Sequence, residues 1–152
     1  MLLVTTFLYS AGSAVAAFLA LEVFLAAAAA DGTYPSVLLA AVAATGQILG
    51  KLLWYWAGAG TTRLVWLGRK LESPRVAAAL TRWRERADGR PVYLALLLLA
   101  SAFAGVPPFM VMSVVAGVLR VRLWLFVSTG LVGRFFRFWM VLEAAEYAWF
   151  LL

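Results

Sequence analysis

Four apolar segments, residues 2–30, 34–60, 91–119 and 123–152, make up most of this 152-residue chain. Each is long enough to enter or cross the hydrocarbon of a bilayer, which takes about 20 helical residues. Little polar chain is left over to face water: 65% of the residues are hydrophobic and 13% charged, against about 45–50% and 25% in soluble domains. A soluble enzyme is excluded. In lipid a backbone must satisfy its own polar groups, so the segments are helices. The expectation is an all-α integral membrane protein, multi-pass, forming one membrane domain over residues 1–152.

The chain has no Cys and no His. Disulfides, thiol chemistry, the usual transition-metal ligands and Ser-His-Asp catalysis are thereby closed. No catalytic residue, metal or cofactor is expected, and the chain is not read as an enzyme. The net charge of +6, from 13 basic and 7 acidic residues, does not point to nucleic acid. The basic residues cluster between apolar segments, where membrane orientation and anionic lipid account for them.

Residues 2–30 carry one charge, Glu22. They are compatible with one spanning helix, a helical hairpin, or a signal peptide ending in alanines 26–30. The last is disfavoured, because no Lys or Arg precedes position 51 and the run is twice too long. Asp31-Gly32-Thr33 make a polar turn, and the second segment follows with Lys51 in its interior. Residues 61–90 hold eight basic residues (Arg63, Arg69, Lys70, Arg75, Arg82, Arg84, Arg86, Arg90) against Glu72, Glu85 and Asp88, which makes this loop cytoplasmic. Ser73 before Pro74, with Gly89 as a stop, predicts a short helix over 74–88. Val76, Ala79, Leu80 and Trp83 share one of its faces. That face either rests on anionic inner-leaflet lipid or packs on the bundle. In the third segment Gly105-Val106-Pro107-Pro108 predicts a break, since proline removes helix hydrogen bonds and forces extended geometry before it.

Gly50-Lys51-Leu52-Leu53-Trp54-Tyr55-Trp56 reads against Gly133-Arg134-Phe135-Phe136-Arg137-Phe138-Trp139 at an offset of about 83. Residues 18–24 align loosely with 103–109. The organisation expected is therefore a first repeat over 1–60, a basic cytoplasmic loop with an amphipathic helix over 61–90, and a second repeat over 91–152. If each repeat is a re-entrant helical hairpin plus one spanning helix, the two are inverted copies. Arg120 and Arg122 then fall on the cytoplasmic side, and the 31–33 turn and C-terminal end fall outside without Lys or Arg. A plain four-span bundle places Arg120 and Arg122 outside, which the positive-inside rule disfavours.

Lys51 and Arg134 lie several turns from any segment end. A charge at that depth costs at least about 2.5–3.5 kcal/mol and faces a protein interior or a wet cavity. Snorkelling, or ion pairing with Glu22, Glu143 or Glu146, is the structural reading. Arg137 stands at i+3 from Arg134, and two like charges on one face favour a shared anion. Glu22, near the tip of the first hairpin, is the counter-charge or proton carrier. Gly105, Pro107 and Pro108 form the tip of the second hairpin. Glu143 and Glu146, close to Tyr147 and Trp149, are expected near water, and the Gly46/Gly50 spacing is read as helix packing.

These residues, in this order, resemble the DedA family, also called the VTT or SNARE-associated-Golgi-protein-like domain. The resemblance is carried by Glu22, the Gly46/Gly50-Lys51 helix running to Tyr55 and Gly58, Pro107-Pro108, Ala116-Gly117, Phe126, Gly130 and Gly133-Arg134. It covers nearly the whole chain, although the family's arginine before the second-hairpin proline and its Pro-Gly-Asp/Glu tip in the first hairpin are absent. It implies two facing re-entrant hairpins and lipid handling, either an undecaprenyl phosphate flippase in the cytoplasmic membrane or a phospholipid scramblase. On that reading Lys51, Arg134 and Arg137 hold the phosphate headgroup, because arginine offers several directed donors to phosphate. The partners are membrane lipids, and a chain this small can form a homodimer. The alternatives are a small proton-coupled exporter of cations or other solutes working through Glu22, and a membrane assembly protein without transport.

Overall fold

Proline and glycine set most of the helix boundaries in this computed structural model. It describes residues 1–16, 21–30, 32–60, 69 and 72–151, apart from the side chains of residues 13–16, 22, 29 and 149. Among the described residues the chain is all-helical, with α1 Leu2–Ala16, α2 Leu21–Ala30, α3 Ser36–Gly58, α4 Pro74–Ala87, α5 Pro91–Ala104, α6 Phe109–Val118 and α7 Leu123–Leu151. Asp31 of the first turn, and Arg63 and Lys70 of the basic loop, lie outside the described residues.

Pro35 precedes α3, and Gly60 at φ +77° follows its end. The short helix expected in the basic loop forms where its caps place it. Ser73 accepts a bond from the Val76 N–H, Pro74 takes the first position and Gly89 follows at φ +67°. The third segment breaks as expected: Gly105, left-handed at φ +77°, ends α5 with its N–H on Ser101 O. Pro107 and Pro108 then carry the chain to α6.

Two helices, Ser36–Gly58 and Leu123–Ala148 within α7, are long and apolar enough to cross a membrane. The others are not: α5 has 14 residues and α6 has 10, hence about 21 Å and 15 Å of helix against about 30 Å of hydrocarbon. The long helices pack against each other antiparallel. Ser36, at the start of α3, meets Glu143 near the end of α7, while Tyr55, near the end of α3, meets Phe126 near the start of α7. The short helices pack reciprocally, α1 on α3 and α5 on α7, with α2 on α7 and α6 on α3. By contrast, α4 touches little besides α5.

Two buried clusters result. In one, Leu25 and Ala28 of α2 meet Leu39 and Ala43 of α3 and Phe138 and Leu142 of α7. In the other, Phe109, Met112 and Ala116 of α6 meet Ile48 and Tyr55 of α3 and Phe126 of α7. Small residues let the backbones approach: a Cβ on Gly46 would sit 2.7 Å from Phe7 O, and one on Gly133 2.6 Å from the Ala102 Cβ. Outward, the long and short helices present Val4, Leu8, Leu53, Leu96, Phe136 and Met140. An apolar outer surface of this extent suits lipid rather than water.

Candidate functional site

The α5–α6 break frees backbone groups in the interior, and the side chains around it are arranged to take them. Ser101, fully buried, donates to Pro107 O at 2.6 Å; Ser113, also fully buried, bonds back within α6 to Phe109 O at 2.7 Å. Arg137 donates from Nη1 to Phe103 O at 2.9 Å. That carbonyl belongs to the last turn of α5, where helix carbonyls lack partners and the dipole favours a cation. A Cβ on Gly105 would sit 3.1 Å from the same Nη1. Glycine therefore serves twice here, in backbone conformation and in admitting the guanidinium.

Arg134 approaches the break from its other end. Its guanidinium carbon lies 5.3 Å from the Phe109 ring centroid and 5.8 Å from that of Phe138, so the cation stands against two aromatic faces. Its Nε is buried. Phe109 is held in turn by parallel stacking on Phe126 at 5.7 Å. Lys51 of α3, only 5% exposed, lies within electrostatic reach of Arg134. Gln47, also buried, precedes it by one helical turn on the same face.

Lys51 and Arg134, one from each long helix, are thus brought together in the interior, with Gly105, Pro107 and Pro108 forming the turn beside them. Arg137 shares the break but reaches its opposite end. Glu22 is the second residue of α2; its side chain lies outside the described residues. Glu143, expected near water, is half-buried and accepts from the Ser36 hydroxyl at 2.6 Å and the Trp139 indole at 2.9 Å. Glu146 is exposed. Sequence reading missed Gln47, Ser101, Ser113 and Phe109. The first three carry a usable signal, a polar side chain inside an apolar segment; the aromatic shelf under Arg134 carries none.

Chemically the site offers an ammonium and a guanidinium beside a helix break, an arrangement suited to an anion rather than a cation. No family model, curated protein or solved structure matches the chain.

Proposed function

We propose that this protein is a multi-pass transporter of the cell membrane that moves an anionic, phosphate-bearing lipid between leaflets, without enzymatic chemistry. The carrying observation is the pairing of Lys51 with Arg134 in the interior. An ammonium and a guanidinium within reach of each other offer a phosphate directed donors from two helices at once. Arg137 completes the phosphate-binding set and fixes the break on which Arg134 rests. Glu22 is the counter-charge or proton carrier, and the basic 61–90 loop rests on anionic inner-leaflet lipid. A lipid tail stays in the bilayer, so a 152-residue chain needs no large enclosed pocket. The DedA/VTT resemblance points to the same activity. A cation exporter is disfavoured by the intramembrane cations.

The architecture that goes with this function is an inverted repeat of a re-entrant hairpin and a spanning helix. It is supported by the antiparallel α3 and α7, by the reciprocal packing of the short helices, and by the return of the chain. Arg90 and Pro91, before and at the start of α5, line the same cavity as Arg120 and Arg122 after α6. Single cysteines in a chain that has none test it: Asp88→Cys and Arg120→Cys label from one side of the membrane, Leu151→Cys from the other. Labelling of positions 88 and 120 from opposite sides establishes four spans and ends the hairpin reading.

The function is tested in proteoliposomes, by following undecaprenyl phosphate and, separately, a labelled phospholipid between leaflets. The expected result is movement of at least one anionic lipid well above that in protein-free vesicles. Folded, inserted protein that moves neither would return the weight to solute export or an assembly role.

A further inference from the structure

The 90–92 and 119–124 segments border a cavity of about 660 Å³ whose rim carries Arg90, Arg120 and Arg122, all exposed, and whose lining, among the described residues, includes no carboxylate. Its walls are largely apolar, with Leu94, Leu96 and Leu99 of α5 and Trp124 and Leu125 of α7. Leu96 and Leu99 also line a second hollow of about 430 Å³, with Phe103 on α5 and Val132, Gly133 and Phe136 on α7. The two are therefore one furrow. On α5 it follows residues 96, 99, 100 and 103; on α7 it follows 125, 129, 132, 133 and 136, each set a single helical stripe. From Leu125 to Phe136 it runs about 17 Å along the helix. It passes from a cationic mouth to the edge of the α5–α6 break, where the Phe103 carbonyl receives Arg137.

We infer that this furrow binds one anionic phospholipid of the cytoplasmic leaflet, its phosphate on Arg90, Arg120 and Arg122 and one hydrocarbon chain between α5 and α7. Charge and shape each select for the ligand. Three arginines without a carboxylate favour a phosphate, and an open apolar trough facing the membrane requires the phosphate to carry a chain. A soluble anion would find only the rim, where its attraction is screened by salt. The site is separate from Lys51 and Arg134. It rests on the chain lying in a membrane but not on lipid being moved, so binding is measured alone.

Dioleoyl phosphatidylglycerol is titrated against the purified full chain in detergent and bound lipid counted by native mass spectrometry, with phosphatidylcholine and chain-free glycerol phosphate alongside. The native chain is expected to prefer phosphatidylglycerol. The Arg120→Gln/Arg122→Gln variant weakens its binding tenfold or more and loses the preference; Leu99→Trp, which fills the furrow, weakens both phospholipids. An Arg75→Gln/Arg84→Gln variant, with the same charge removed from α4, binds as the native chain does. The inference is overturned if the mouth and furrow variants bind like the native chain, or if the α4 variant loses as much as the mouth variant. Equal competition by glycerol phosphate would make this an anion site and remove the lipid. Thermal melting of each variant confirms that folded proteins are compared. These outcomes do not depend on transport: translocation lost with binding retained defeats the proposed function alone.

Discussion

Gly117→Val is expected to prevent the protein from accumulating in folded form. A Cβ at this position would overlap the carbonyl oxygen of Tyr55, with Ala59 N a further 2.9 Å contact. Its neighbour in the crossing, Gly58, is equally closed, since a Cβ there would overlap the carbonyl of Val114. Each helix thus presses a glycine against the backbone of the other. Backbone cannot step aside as a side-chain tip can, so the cost exceeds the usual 1–3 kcal/mol of overpacking; at least about 3 kcal/mol is expected. That is a large share of the roughly 5–15 kcal/mol by which a domain is stable. The crossing also fixes the turn after α6, where Val121 O accepts from the Tyr55 hydroxyl at 2.5 Å. Size-exclusion profiles and melting curves in detergent check the prediction. Gly12→Val, at a glycine whose Cβ would meet nothing within 4 Å, should fold normally; equal behaviour of the two variants would refute the account of the α3–α6 crossing.

What could be read from the sequence was mostly local. The ends of α4 and the α5–α6 break depend on Ser73, Pro74, Gly89, Gly105 and Pro107, whose effects act within a few residues. The spans followed from length and hydropathy. Of the residues that the offset of about 83 pairs, Tyr55 packs on α6 and Phe138 on α2. The offset was uninformative about α1 and α5, which are admitted by Gly46 and Gly133, since it pairs Gly133 with Gly50 and not with Gly46. Side-chain destinations were legible least. Arg134 and Arg137 share a face by spacing, yet one rests on Phe109 and Phe138 and the other reaches Phe103 O, because long side chains diverge according to what the neighbouring helices offer. The partner of Glu143 was illegible for a related reason: Ser36 is remote in sequence and meets it only because α3 and α7 run antiparallel.

Lys51→Met is expected to reduce lipid translocation at least tenfold in protein that still folds and inserts. Methionine keeps nearly the length and volume of the lysine stem, so the space that this buried side chain fills stays filled. What it removes is an ammonium that is 5% exposed and lies within reach of the Arg134 charge. Arg134→Gln should lose transport as well and melt lower, since the guanidinium also contributes its contacts with Phe109 and Phe138. Translocation measured in the folded fraction separates the two roles: it falls when a headgroup ligand is removed and holds when only a structural cation is. A Lys51→Met protein that melts well below the native chain, yet transports fully in its folded fraction, would make Lys51 part of the scaffold and leave the phosphate to Arg134 and Arg137.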